Sequence, residues 1–324
     1  MDNFQKINKQ EYQDLLDKIL FSTFFHGVEW HEFLEKEFKW LRFEYYIYED
    51  EVVLPIVRFK VFGKEKLISL PFCEYGGPLP LDDGIIWEEF KKDAVKEFKN
   101  IKIKFHPKIK SGDLNSDVST HWIENLKNTS EQELLASFRK TLRHEIKNAQ
   151  EHGLEIRKCK NQQELERFYD LYVANLRRKK TVPYPWPLIQ FLYQNSSSEL
   201  LLAFYKGKVI AGCLFLNYGG FVHYFLSASD YKYRDFGAAH LILWEKIRSL
   251  IGSSIIFDLG ASPKGSALEI FKRGWGETEY PIYQLGIKRT EEPLRSSKLI
   301  RFIWSLLPNF AIKKLSSYLI KYRL

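Results

Sequence analysis

The chain has few residues that would tie it together covalently. Three cysteines, Cys73, Cys159 and Cys213, are spread over 324 residues, far apart and outside any CxxC spacing. That excludes a disulfide framework and a structural zinc site, and it favours a reducing compartment. Methionine occurs once, at the start, and the opening MDNFQKINKQEYQDLL lacks the basic start and apolar run of a secretory signal. A cytoplasmic location is therefore expected. No Gly-x-Ser-x-Gly elbow and no P-loop signature appears, so serine-hydrolase and nucleotide-hydrolysis chemistry have no foothold. His26, Glu29 and His31 lie close together, but a spacing of five puts the two histidines on different helix faces, and no metal site is expected.

Long apolar runs are also scarce. The exception is Val209 to Ser229, 21 residues without a formal charge, but Asn217, Tyr218, Gly219 and Gly220 interrupt it. Two apolar runs around an Asn-x-Gly-Gly turn read as a buried β-hairpin, not as a membrane span. Acidic residues are missing from Pro293 onward, where seven basic residues stand: Arg295, Lys298, Arg301, Lys313, Lys314, Lys321 and Arg323. The remaining 42 basic residues face 41 acidic ones, so seven of the eight net positive charges belong to the tail and the body is near neutral. In that tail, Leu299, Ile300, Ile303, Leu306 and Leu307 repeat at helical spacing; Pro308 breaks the pattern, and Ala311, Ile312, Leu315, Leu319 and Ile320 resume it. Two short basic amphipathic helices are expected, lying on an anionic membrane surface with Trp304 and Phe310 at the acyl boundary. The competing expectation is that their apolar face packs on the protein itself.

What is present suits a globular α/β protein. Hydrophobic residues make up 45%, and aromatics reach 16%, with 25 Phe, 18 Tyr and 8 Trp; the length suggests two domains. Each half runs helix, helix, strand, turn, strand, strand, helix, strand. Two tandem α/β units with mixed sheets are therefore expected over 1–150 and 151–290, followed by the tail at 291–324. The segment Leu70-Pro71-Phe72-Cys73-Glu74-Tyr75-Gly76-Gly77-Pro78 must be an irregular loop and a plausible cleft wall. Ser130-Glu131-Gln132-Glu133 is a capping box expected to open one helix running to Glu151. Its charges, Arg139, Lys140, Arg143, His144, Glu145 and Lys147, form either a solvated face or a basic ridge beside an anionic substrate.

The order of elements over residues 200–251 resembles the GNAT acyltransferase core, and Arg234-x-x-Gly237-x-Ala239 fits that superfamily's loop before its third helix. Small residues there let backbone N–H groups at a helix start approach anionic phosphate oxygens. Phe257-Asp258-Leu259-Gly260 followed by Phe271-Lys272-Arg273-Gly274-Trp275-Gly276 resembles the Fem (FemAB-like) family of tandem-GNAT peptidoglycan aminoacyltransferases. Ser22-x-Phe24-x-His26-x-x-x-Trp30, the Leu70 to Pro78 loop and Arg178-Lys179-x-x-x-Pro183-x-Pro185 agree with it. The resemblance spans about residues 20–285. The long coiled-coil arm of some members has no room here, which places the chain with the compact relatives.

The resemblance implies transfer of an acyl or aminoacyl group to an amine of a cell-envelope precursor. The donor would be aminoacyl-tRNA or acyl-CoA, brought as a co-substrate with no tightly bound cofactor. It gives Lys272 a place near the reacting ester, where an ammonium can offset oxyanion charge. Asp258 is expected to accept a proton or orient the amine. Arg234, Gly237, Ala239 and Phe271 are the candidate donor contacts; Tyr75, Arg178 and Tyr184 are the candidate contacts for an anionic acceptor. A monomer on the inner face of the membrane is expected. Two other readings stay open: a GNAT N-acyltransferase using acyl-CoA or acyl carrier protein on an envelope sugar or lipid, and a non-catalytic membrane-peripheral binding module. Convergence of Arg234, Asp258 and Lys272 on one cleft would separate the enzymes from the module.

Overall fold

The computed structural model describes residues 3–286, except 20, 83–84 and 110–115, and residues 304 and 306–323. The first unit contains β1 (Phe4–Ile7), α1 (Lys9–Leu16), α2 (Val28–Glu37), β2 (Arg42–Tyr48), β3 (Val52–Val61), β4 (Lys64–Ile68), β5 (Leu79–Pro80), α3 (Trp87–Glu97) and β6 (Ile101–Lys104). There follow β7 (Val118–Ile123), α4 (Glu131–Ser137), α5 (Lys140–Glu151), β8 (Glu155–Lys158), α6 (Gln162–Arg178), α7 (Trp186–Gln194), β9 (Ser198–Tyr205), β10 (Lys208–Tyr218) and β11 (Phe221–Ser229). The chain continues through α8 (Ala238–Arg248), β12 (Ile256–Pro263), α9 (Ala267–Arg273), β13 (Thr278–Pro281), β14 (Gln284–Leu285) and α10 (Asn309–Leu319).

The expected repeat is there in three dimensions. One sheet has the order β1-β2-β3-β4-β6-β14; the other, read from its far edge, is β8-β9-β10-β11-β12-β7-β13. In each, four antiparallel strands are followed by one parallel neighbour, β4 with β6 and β11 with β12. The uncharged stretch from Val209 to Ser229 is the β10–β11 hairpin, turned at Gly219 and Gly220, both with positive φ. The sheets part company upstream of residue 150: β7 pairs with β12, and α5 packs on α8, so both serve the second unit, while β14 crosses back to β6. The single helix expected from residue 131 to 151 is two. Phe138 turns extended and buries its ring against Trp244 and Trp275, and the Gly274 carbonyl accepts the Arg139 N–H.

The parallel pairs are short. Only Leu67 and Ile68 pair with Ile101 and Lys102, and only Phe221 to His223 pair with Ile256 to Asp258. Beyond these the strands diverge and each sheet has a wedge. In the first unit the chain fills its own wedge: the Ser69 N–H donates to Lys102 O at 2.9 Å and the Gly76 N–H to Lys104 O at 3.3 Å. Gly77 passes so close that a Cβ would lie 2.4 Å from the Lys104 carbonyl oxygen. The same loop then reaches into the wedge of the second unit, and one apolar core joins α2 and the loop to α6 and α7.

Of the tail, α10 starts directly after Pro308, as the sequence predicts. It packs on α6 with Ile312, Ser316 and Ile320 fully buried. Trp304, expected at a lipid boundary, is instead buried in this core. Phe310, Tyr318 and Leu306 are 75%, 70% and 63% exposed. Most of the helix expected before Pro308 lies outside the described residues. Among the described residues no helix is long and apolar enough to cross a membrane.

Candidate active site

The second wedge is built around Asp258. Its carboxylate is fully buried and accepts four hydrogen bonds. Oδ1 takes Thr120 Oγ1–H at 2.7 Å from β7 and the Gly260 N–H at 2.8 Å. Oδ2 takes Tyr75 O–H at 2.5 Å from the inserted loop and His223 Nδ1–H at 2.8 Å from β11. Burial pushes the Asp258 pKa up, but His223 and the hydrogen bonds outweigh it and hold it at about 2. A carboxylate so satisfied is a poor base at neutral pH. Of the two roles expected for Asp258, accepting a proton does not fit, and in place of an amine its hydrogen bonds hold neighbouring protein groups.

Lys272 stands in the last turn of α9, a helix capped by Ser266 and followed by Gly274. It is not a solvated turn lysine: it is 3% exposed and Nζ donates to Ala261 O at 2.6 Å. Burial lowers its pKa, and the charges of Glu74 and Asp258 oppose that. The Glu74 carboxylate accepts the Ala261 N–H and closes over Gly260, where φ is +78° and a Cβ would lie 2.8 Å from Glu74 Oε2. The wedge thus gathers a buried cation, two carboxylates and a histidine, contributed by β11, β12, α9 and the first unit's loop. Tyr218 O adjoins Tyr75 O at 3.4 Å. An ammonium in such a water-poor site can stabilise developing oxyanion charge.

The structure brings Asp258, Lys272 and Tyr75 together and places Arg234 elsewhere, so the three-residue convergence expected of an enzyme is not met. Arg234 lies on the 3-10 turn Tyr231–Phe236 with its guanidinium 4.4 Å from the Tyr231 ring centre, and Arg178 lies 4.2 Å from the same centre. A groove of about 450 Å³ between α6 and the end of β11 borders Arg178 and Tyr231. Among the described residues neither arginine contacts Asp258 or Lys272. Gly237 caps α8 with φ +65°, and a Cβ would sit 2.7 Å from the Glu145 carbonyl oxygen on α5. Its glycine is required by close packing as well as by φ. Ala239 is in the first turn of α8, and the Phe271 ring packs on His240 and Trp275. Tyr184 is core: its ring stacks on Phe225, meets Phe72 edge-on, and its O–H donates to Phe72 O at 3.5 Å.

Sequence reasoning missed Thr120, His223, Glu74 and Tyr218. Glu74 and Tyr218 lie within segments already singled out as a loop and a turn. His223 sits inside an apolar strand, and Thr120 precedes the capping box by ten residues; only sheet register joins them to Asp258.

Comparison with known proteins matches two stretches of the chain to families. Residues 136–273 match the acetyltransferase (GNAT) domain family, and residues 80–182 match the FemAB family. No curated protein sequence matches the chain. The fold is similar to that of FemX, at 14% identity over 88% of this chain and 97% of that one, with a TM-score of 0.61. It is similar to L-PGS from Bacillus licheniformis, at 13% identity over 92% and 98%, with a TM-score of 0.57. A conserved protein of unknown function from Bacteroides thetaiotaomicron VPI-5482 has the same fold at 12% identity over 89% and 100%, with a TM-score of 0.55. The two domain matches agree with the tandem wedges and carry the transferase reading, and the chain is similar over residues 80–273 to FemAB-type and GNAT acyltransferases.

Proposed function

We propose that this enzyme moves an acyl or aminoacyl group from a thioester or ester donor onto an amine of a cell-envelope precursor, at the inner membrane surface. Within the site, the observation that carries the reading is the burial of Lys272 against Ala261 O, beside Asp258 and Glu74, in the second wedge. The donor carbonyl enters this wedge and the amine attacks it. The C–N bond forms as the C–O or C–S bond breaks, and the Lys272 ammonium offsets charge on the carbonyl oxygen. Asp258 is a positioning residue, since all its lone pairs are spent on neighbours. Arg178 and Arg234, joined at Tyr231 beside the groove, are the place for an anionic part of donor or acceptor. The similarity in fold to FemX and to L-PGS supports an envelope substrate.

The exposed Phe310, Tyr318 and Leu306, on a tail that also carries the basic Lys314 and Lys321, support contact with an anionic membrane. The match of residues 136–273 to the acetyltransferase domain family favours a second reading within the same chemistry, with acyl-CoA or acyl carrier protein as donor. Thermal-shift measurements with acyl-CoAs, aminoacyl-tRNA and undecaprenyl-linked precursors, followed by mass spectrometry of the products, decide between them. The reading predicts stabilisation by one donor class and a new amide on the acceptor. Donors that neither stabilise the protein nor yield an amide in any combination would overturn it.

A further inference from the structure

His223 is 2% exposed and its two ring nitrogens have different surroundings. The Asp258 carboxylate can only accept, so Nδ1 carries a proton and donates it at 2.8 Å. Nε2 is buried and has no hydrogen-bond partner among the described residues. The rings around the imidazole are those of Phe25, Tyr218 and Phe225, at centroid distances of 6.2, 6.5 and 6.1 Å. An unpaired buried nitrogen costs about 1–3 kcal/mol. The residues two positions away on the same strand, Phe221 and Phe225, are phenyl rings that avoid that cost. A histidine held in one tautomer by a carboxylate, with its second nitrogen unoccupied, has the layout of a general base.

We propose that His223 Nε2 is the proton acceptor in the transfer reaction, which rests on the acyltransferase reading above. As the neutral amine attacks the donor carbonyl, its nitrogen gains positive charge. Nε2 takes one N–H proton from it, so that the tetrahedral intermediate collapses to the amide. The same proton then passes from Nε2–H to the leaving oxygen or sulfur, which departs as alcohol or thiol. His223 ends neutral, and no other reactant is consumed. Lys272 stays an ammonium throughout and serves the oxyanion; Asp258 stays ionised and keeps the ring oriented.

The charged and titratable groups facing the imidazole are Asp258 on β12, Glu74 and Tyr75 on the inserted loop, Lys272 on α9 and Tyr218 on β10. Burial lowers the His223 pKa, the carboxylates of Asp258 and Glu74 raise it, Lys272 lowers it, and the balance lies above the ordinary value. The rate of transfer should therefore climb with pH until Nε2 loses its proton.

The test uses the full chain with acetyl-CoA or alanyl-tRNA as donor and lysine amide as the amine probe. His223→Gln should lower kcat by roughly 10²–10⁴, leave the donor KM within threefold, and flatten the acidic limb of the pH–rate profile. A kcat within threefold of wild type, or an unchanged acidic limb, overturns the proposal. A wild-type protein that transfers to no amine overturns the acyltransferase reading instead. Nitrogen-15 NMR of wild-type protein labelled at histidine tests the tautomer without substrate or variant. The result expected is a protonated Nδ1, with Nε2 losing its proton above the ordinary histidine range. A neutral ring with the proton on Nε2 and not on Nδ1 overturns the proposal.

Discussion

At Lys272 the side chain does two jobs that a substitution can separate. Its aliphatic stem fills buried space, and its ammonium donates to Ala261 O and faces Glu74 and Asp258. Lys272→Met keeps most of the volume and removes the charge. The orphaned carbonyl should cost about 1–3 kcal/mol, while turnover should fall roughly 10²–10³-fold, as for loss of one oxyanion stabiliser. Steady-state kinetics on a variant that still melts cooperatively would check this, and wild-type turnover would refute the role. Gly237 behaves differently. Its φ of +65° and the 2.7 Å approach of a Cβ to Glu145 O make any side chain a folding problem before it is a donor-binding problem. Gly237→Val should lower the melting temperature by at least several degrees, since the left-handed backbone alone costs roughly 1–2 kcal/mol and the clash adds to it. A normal melting temperature with weakened donor binding would restore the phosphate-cradle reading.

Among the elements, the C-terminal helix was legible in outline and not in role. The spacing of Ala311, Ile312, Leu315, Leu319 and Ile320 predicts a helix after Pro308, and α10 is that helix. Composition could not say which apolar side chains meet protein and which meet solvent, because both kinds read alike along a sequence. In the fold Trp304, Ile312 and Ile320 are core, Ser316 and Lys313 lie against α6 at Tyr169 and Asp170, and Phe310 and Tyr318 project outward. Removing residues 304–324 should therefore lower the melting temperature by several degrees, given about 1.5–3 kcal/mol for each large apolar side chain re-exposed. The double variant Phe310→Ser with Tyr318→Ser should melt like wild type and lose binding to anionic liposomes in a flotation assay. Equal flotation of the two proteins would remove the membrane role from this face. The break between α4 and α5 shows the same limit. Helical periodicity continues through Phe138, but its ring is drawn into the second core between Trp244 and Trp275.

For the whole molecule, the repeat of helices and strands was legible because hydrophobic periodicity is local, and the wedge was not, because it depends on register between distant strands. Asp258 and Lys272 stood out beside glycine turns. His223 and Thr120 acquire meaning only when β11 and β7 flank β12. The same assembly buries three further histidines around the first unit. His26 sits between Thr23 and the Gly77 carbonyl, His31 between Tyr45 O–H and Phe25 O, and His106 among the rings of Phe21, Tyr75 and Trp122. Burial lowers their pKa values to about 4, about 3 and about 3. The unfolded chain takes up protons below about pH 6.5 that the folded chain refuses. Stability is thus full above that pH and falls as pH drops toward 4, by an amount on the order of 3 kcal/mol per histidine at the lower end. His223, whose pKa is raised, has the opposite sign: its contribution is present below pH 6.5 and fades as pH rises. Asp258 adds its loss only below about pH 4, as the pH falls toward its folded value of about 2. Three outweigh one, and their sum rivals the roughly 5–15 kcal/mol that holds a typical protein together. The melting temperature should therefore fall clearly between pH 7.5 and pH 5, with cooperative unfolding complete near pH 4. Circular-dichroism melts across that range check it, and a melting temperature at pH 5 within two degrees of that at pH 7.5 would mean that these histidines become charged without opening the core.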